Sequence, residues 1–241
     1  RGHWGTFKSL VVGDANRIAV TVAQMLPDRP GMISPLFVHG VPGSGKTHLL
    51  QAIWTEFRQL RQRSRCIYMT AEQFTSQFLG ALRGSGLPNF RHKYRDVELL
   101  LIDDVQFFVG KRATISELHY TIDTLLREGR QMVFASQNPP AELQDLGMDL
   151  VARLSGGLVC GTEPADIEMR QVICEQYCDI HDVDLHPAVV EHQDAAVVVD
   201  SQFRGIPECA VLRAVSTETE EFHAFAIVHV DQRIGLKGNA A

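Results

Sequence analysis

The sequence predicts an α/β fold in which a parallel β-sheet is covered by helices on both faces. Three observations carry this. Short, almost wholly apolar runs at 35–39, 66–69, 97–102, 132–135 and 158–160 alternate with helical stretches at 48–60, 71–82 and 116–127. Strands apolar on both faces are buried on both faces, which marks a parallel sheet with crossover helices. A glycine-rich segment, 40–47, joins the first apolar run to the first helix. The third apolar run ends in adjacent carboxylates, Asp103 and Asp104.

Length and composition set the frame. A chain of 241 residues supports one large domain with a small appendage. Its 45% hydrophobic and 22% charged residues are ordinary for a globular protein. No apolar run reaches the roughly 18 residues of a membrane span, and Arg1-Gly2-His3-Trp4 lacks the apolar core of a secretory signal. With no initiator Met, the chain is expected to be a piece of a longer one. The net charge of -6 argues against a broad phosphate-binding surface. It leaves room for local basic tracks at 58–65 and 91–95, whose alternative is a solvated helix face. Cys66, Cys160, Cys174, Cys178 and Cys209 are odd in number and scattered, so reduced thiols and a cytoplasmic setting are expected. Cys174 and Cys178 lie one turn apart, with His181 near, but no fourth ligand follows at zinc spacing, which favours a buried helix face.

The chain is expected to divide into an α/β domain, 1–162, and a small helical lid domain, 163–241. Pro164 opens a helical run to Tyr177, and further helices are expected from Pro187 and from the Ser201 region. Beyond 216, the acidic patch Glu218, Glu220, Glu221 and the apolar run 225–230 receive no assignment.

Gly40-Val41-Pro42-Gly43-Ser44-Gly45-Lys46-Thr47 matches the P-loop pattern in full, between a strand and a helix as the motif requires. Phosphate oxygens need several backbone N–H groups turned inward, and glycine lets the chain curl that closely. The next helix adds its positive N-terminal end. Lys46 is placed to reach the β- and γ-phosphates of ATP, and the Thr47 hydroxyl to bind Mg2+. At the end of 97–102, Asp103 is the natural magnesium-side carboxylate, since that cation takes hard oxygens and keeps several waters. Asp104 is then placed to orient or deprotonate an attacking water. The alternative for this pair is a helix cap or turn.

Around these motifs the sequence resembles the bacterial DnaA replication initiators. Val11-Val12-Gly13-Asp14-Ala15-Asn16-Arg17 is similar to the family's adenine-side segment, which implies nucleotide contact at Val12, Gly13 and Asn16. Residues 35–50, with His48 after the P-loop, look like the family's phosphate block. The most specific stretch is Phe90-Arg91-His92-Lys93-Tyr94-Arg95 followed by Leu101-Ile102-Asp103-Asp104-Val105-Gln106-Phe107-Phe108. The resemblance covers residues 6 to 180 and fades after Arg204.

The resemblance implies an AAA+ three-layer sandwich with a five-stranded parallel sheet and a helical lid over ATP. It implies a cytoplasmic ATPase that assembles as a helical homo-oligomer on the replication origin, contacts single-stranded DNA and meets the replicative helicase. Arg153, in Val151-Ala152-Arg153-Leu154, matches the arginine finger that touches a neighbour's γ-phosphate. A guanidinium suits that role because its fork binds phosphate bidentately; the alternative is a surface arginine at a helix end. Arg204 matches the lid arginine of the same subunit, although Gly205 and Pro207 interrupt the expected helix. Gln137, at the end of the fourth apolar run, stands where the family usually has an acid, which implies slower hydrolysis. Leu79 and Lys111 match single-strand contacts. The second basic position falls on Ala113, with Arg112 beside it.

No compact basic helical module follows for reading double-stranded DNA, so this piece is not expected to recognise origin sequence by itself. Two other readings stay open. One is a stand-alone AAA+ regulator or helicase-loader relative that acts on partner AAA+ proteins. The other is a P-loop kinase, which the Asp103-Asp104 pair and its Phe107-Phe108 context oppose.

Overall fold

The computed structural model describes residues 5–84, 86–181, 196–199, 209–215 and 222–229, those from 177 onward by backbone alone. The chain falls into two compact units, Arg1–Glu163 and Pro164–Ala241.

In the first unit five parallel strands form one sheet: β1 (Leu36–His39), β2 (Cys66–Thr70), β3 (Leu99–Asp103), β4 (Gln131–Ser136) and β5 (Leu158–Gly161), in the order β2-β3-β4-β1-β5. The helices are α1 (Arg17–Met25), α2 (Lys46–Leu60), α3 (Ala71–Arg83), α4 (Leu87–Arg95), α5 (Arg112–Arg127) and α6 (Met148–Ser155). The side-chain period of two divides the strands between two cores. Leu36, Val38, Leu99, Leu101, Val133 and Ala135 pack with Leu49, Leu50, Ile53 and Phe57 of α2 and Ala19, Val20 and Ala23 of α1. Phe37, Leu100, Ile102, Met132 and Phe134 face the other way, onto residues of α3, α4, α5 and α6. Both faces are therefore buried, which is why the apolar runs are continuous and not alternating. This is the predicted three-layer α/β sandwich with its five-stranded parallel sheet.

Local signals set the element ends that matter for the site. Thr70 begins α3 with a reciprocal cap: its hydroxyl accepts from the Gln73 N–H at 3.2 Å, and the Gln73 side chain accepts from the Thr70 N–H at 3.1 Å. α4 lies outside the predicted set. Its aromatic face, Phe90 and Tyr94, packs on Phe74 of α3 with ring centroids 5.3 Å apart in both pairs.

In the second unit the helical run expected after Pro164 is present, but strands follow it where further helices were expected. α7 (Ile167–His181) is followed by β6 (Ala196–Val199), β7 (Cys209–Val215) and β8 (Phe222–His229), an antiparallel sheet in that order. The reason is compositional. Ala196-Val197-Val198-Val199 and Phe222-His223-Ala224-Phe225-Ala226-Ile227-Val228-His229 are rich in β-branched and aromatic residues, which suit pleated backbone. Pro187 and Ser201, from which further helices were expected, lie outside the described residues, as do Arg204 and the interrupting Gly205 and Pro207. Among the described residues no helix is long and apolar enough to cross a membrane.

Candidate functional site

The site is built where β1, β3 and β4 end on the same edge of the sheet. Parallel pairing places His39 beside Ser136 and Thr70 beside Asp103. Chain exits that are far apart in sequence are thus gathered at the carboxyl ends of the strands, the usual ligand position in open α/β sheets.

From β1 the chain enters the glycine-rich loop. Gly43 and Gly45 have φ of +80° and +86°, values that a side chain disfavours. Gly40 is required for a different reason. A Cβ there would lie 2.2 Å from the Thr162 carbonyl oxygen, 2.4 Å from the Thr162 hydroxyl and 2.8 Å from the Ser44 hydroxyl. The loop is fastened at that point: Ser44 Oγ and Thr162 Oγ1 lie 2.8 Å apart, and the Thr162 N–H donates to the His39 carbonyl at 2.7 Å.

Lys46 begins α2 and turns back across the loop. Its ammonium donates to the Gly40 and Val41 carbonyls at 2.7 and 2.8 Å. It is 7% exposed. Burial pushes its pKa down, opposed by the carboxylates of Asp103 and Asp104. The carbonyls and carboxylates keep this buried ammonium charged and held at the loop, where phosphate oxygens can take the place of the carbonyl acceptors.

The carboxylate side is equally enclosed. Asp103 is 2% exposed, and burial raises its pKa while bonds from Thr47, the Asp104 N–H and Tyr68 lower it. The Thr47 hydroxyl donates to Asp103 Oδ2 at 2.7 Å, and the Tyr68 hydroxyl donates to the same oxygen at 3.2 Å. Thr47 Oγ1 and Asp103 Oδ2 are hard oxygens side by side at the foot of the phosphate loop. That donor set fits magnesium, which binds through one or two protein oxygens and otherwise keeps waters and phosphate oxygens.

Asp104 follows in a left-handed conformation, φ 58° and ψ 47°, the one non-glycine positive φ among the described residues. Its Oδ1 accepts from the Gln106 side-chain amide at 2.9 Å. The Gln106 carbonyl oxygen accepts in turn from the Ser136 hydroxyl at 3.0 Å and the Gln137 N–H at 3.3 Å. The exposed Gln137 therefore joins the cluster through its backbone.

The predicted base-side residues form a second group. The Asn16 side chain accepts from the Gly13 N–H at 3.1 Å and donates to the Val11 carbonyl at 2.9 Å, which folds the segment into a fixed loop before α1. Val12 is 50% exposed, so its side chain is open to contact. The Glu163 N–H donates to the Ala15 carbonyl at 2.9 Å, tying this loop to the chain leaving β5. His48 holds the N-terminal segment against α2: its Nε2 lies 2.9 Å from Ser9 Oγ and 3.3 Å from the Thr6 carbonyl oxygen. Burial pushes its pKa down, so the ring is neutral.

Three predicted features stand apart from this cluster. Arg153 is on α6, and its Nε donates to Asp123 Oδ1 on α5 at 2.6 Å. Leu79 is on α3 with 37% exposure, while Lys111 and the exposed Arg112 begin α5. The basic track 91–95 is largely consumed in the protein's own packing. Arg91 donates to both oxygens of buried Glu117, at 3.0 and 2.9 Å, and Arg95 donates to the same carboxylate at 2.7 Å. Sequence reasoning gave no role to Tyr68, Gln106 and Thr162, although each touches a loop or carboxylate residue. Only Gln106, within the specific run after Asp104, carried a sequence signal.

Comparison with known proteins places this geometry. The family model described as the bacterial DnaA ATPase domain matches residues 3–161. A chromosomal replication initiator protein DnaA from Thermomicrobium roseum is 40% identical over 169 residues, covering 70% of this chain and 36% of the relative. The chain thus spans well under half of that relative's length. The crystal structure of domain III of the Thermotoga maritima replication initiation protein DnaA superposes with a TM-score of 0.74 at 38% identity, covering 77% of this chain and 78% of that one. A DnaA structure bound to AMPPCP and single-stranded DNA gives a TM-score of 0.71 at 32% identity, over 78% and 58% of the two chains.

Proposed function

This chain belongs to the family of bacterial DnaA ATPase domains, and from that premise we propose that it binds ATP with Mg2+ at the β1–β3–β4 edge. It assembles with copies of itself on single-stranded DNA at a replication origin, in the cytoplasm, and hydrolyses ATP slowly. The observation that carries the reading is the juxtaposition of Thr47 with Asp103, 2.7 Å apart beneath the loop that Lys46 crosses. The related DnaA structure bound to AMPPCP and single-stranded DNA supports both ligand classes.

Each residue has a separable task. The loop N–H groups and Lys46 hold the β- and γ-phosphates. Thr47 and Asp103 would hold magnesium, which would supply charge neutralisation to the phosphates. Asp104 orients the attacking water and accepts its proton, with Gln137 at the neighbouring strand end. Val12, Gly13 and Asn16 form the adenine side, and His48 contacts the nucleotide beside the phosphate loop. Arg153 contacts the γ-phosphate of an adjacent copy, and Leu79, Lys111 and Arg112 line the DNA track. A replicative helicase is the further partner of the assembled form.

The test uses a labelled single-stranded oligonucleotide, anisotropy and light scattering, with ATP and then ADP. The expected result is multi-copy complexes with ATP alone, lost in Arg153→Ala although ATP still binds. Lys46→Ala should lose ATP itself. ATP binding without assembly on DNA at low salt would withdraw the DNA and oligomer roles. The reading of a regulator acting on partner AAA+ proteins would then replace them.

A further inference from the structure

We propose that Gln106 is the positioning residue that holds the carboxylate of Asp104 and couples it to the end of β4. The proposal rests on the reading of Asp104 as the group that handles the attacking water. It assigns a task to a residue that the phosphate-loop chemistry leaves unused.

Asp104 sits in the left-handed region at the turn from β3 into the short helical turn Val105–Phe108. Such a conformation in a residue with a side chain costs energy and persists only where its surroundings fix it. Its N–H is taken by Asp103 Oδ1 at 3.0 Å, so the backbone is anchored from the magnesium side. The carboxylate is a separate matter: it turns about two torsions. Among the described residues, the hydrogen bond to that carboxylate is the one from the Gln106 amide, at 2.9 Å. A charge-assisted bond of that length is a strong orienting contact.

Gln106 is itself clamped at its other end. Its carbonyl oxygen accepts from the Ser136 hydroxyl, a fully buried group at the end of β4, and from the Gln137 N–H. A primary amide has two donors and one acceptor oxygen with two lone pairs. Here both lone pairs are occupied, so the NH2 group is directed at Asp104 and the amide cannot be flipped without losing three contacts. The result is a rigid bridge from the carboxylate of one strand end to the backbone of the next. Movement of the Gln137 segment on contact with a γ-phosphate would be carried to Asp104 through one side chain.

The bridge is tested with two variants of the 241-residue chain. Gln106→Met keeps the length and removes every polar contact. Gln106→Glu retains acceptors for Ser136 and Gln137 but replaces the donor facing Asp104 by a like charge. ATP affinity is read by displacement of a fluorescent ATP analogue, and hydrolysis by single-turnover release of labelled phosphate with protein in excess. Both variants should bind ATP within about twofold of the unsubstituted chain, because Gln106 touches no loop residue. Both should hydrolyse it at least about tenfold more slowly, the scale expected when a base is no longer held in register. If Gln106 were only a strut between strand ends, Gln106→Glu would hydrolyse normally, and that result overturns the proposal. Unchanged rates in both variants overturn it as well and leave the reading of the ATP site intact. An unsubstituted chain that binds ATP and never turns it over overturns the role of Asp104 and this proposal together.

Discussion

Replacing Gly40 by alanine separates two reasons for glycine in one loop. The added methyl would stand 2.2 Å from the Thr162 carbonyl oxygen, a backbone atom that cannot rotate aside. The end of β5 must move, and with it the 2.7 Å bond from the Thr162 N–H to His39 and the 2.8 Å contact between the Thr162 and Ser44 hydroxyls. Overpacking costs about 1–3 kcal/mol, and each weakened hydrogen bond adds about 1 kcal/mol, so a loss of about 2–4 kcal/mol is expected. Gly43→Ala is the control. Nothing lies within 4 Å of its added methyl, and only the positive φ of +80° opposes it, at about 1–2 kcal/mol. Urea unfolding followed by tryptophan fluorescence reads the first unit alone, since Trp4 and Trp54 both belong to it. At an m-value of about 2 kcal/mol/M, Gly40→Ala should lower the midpoint by about 1–2 M and Gly43→Ala by under about 1 M. Adding Thr162→Ala to Gly40→Ala should restore little, because the tighter contact is with backbone. A Gly40→Ala midpoint equal to that of Gly43→Ala would refute the argument from crowding.

Three further outcomes are expected. Glu117→Gln strands Arg91 and Arg95 while removing a carboxylate that is 4% exposed; because Arg91 rehydrates readily, the cost in the same urea assay should be about 2 kcal/mol, and Arg91→Ala should cost less. Burial pushes the Cys66 thiol up to about 11 from 9.0, so at pH 8 iodoacetamide should label it about 100-fold more slowly than an ordinary peptide thiol, measured by mass spectrometry. Burial also raises the Tyr94 phenol from 10.0 to about 12. The folded chain then keeps a proton that the unfolded chain releases, so stability present below pH 10 is lost between pH 10 and 12, at up to about 1.4 kcal/mol per pH unit. Tyr94→Phe should lose that part of the alkaline slope, and an unchanged slope measured by urea unfolding against pH would count against the burial argument.

What was legible in the sequence is what local chemistry dictates. The apolar runs around Leu36, Leu99 and Met132 could only be strands buried on both faces, and the P-loop spacing between 36–39 and 46–60 reflects the requirement of a phosphate for curled backbone. The roles of Tyr68, Gln106 and Thr162 were not legible in that way. Tyr68 meets Asp103, Thr162 meets His39 and Gln106 meets Ser136 only through the order β2-β3-β4-β1-β5, which no single segment encodes. Arg91 and Arg95 illustrate the same limit. As sequence they are a basic track, and only the packing of α4 on α5 delivers Glu117 to them. In the second unit, helix-start signals at Pro187 and Ser201 weighed more than the β-branched character of 196–199, and the apolar run 225–230 received no assignment. The described backbone follows the β-branched character.

The strand order also explains why costly features gather in one place. Lys46 and Asp103 are buried against their preference for water, and Asp104 holds a strained backbone. Dispersed over the protein, these would each be a liability of a kilocalorie or more. Gathered at one edge, they compensate each other: the carboxylates of Asp103 and Asp104 support the charge on Lys46, and Thr47, Tyr68 and the Asp104 N–H satisfy Asp103. That arrangement depends on register. Thr70 is level with Asp103, and Ser136 with His39. A slip of one residue in β3 would turn Asp103 to the opposite face and put Ile102 in its place, because successive side chains alternate. The two cores oppose such a slip, since Leu100 and Ile102 would exchange faces with Leu99 and Leu101. The apolar packing on both sides of the sheet is therefore what holds Asp103 beneath the phosphate loop.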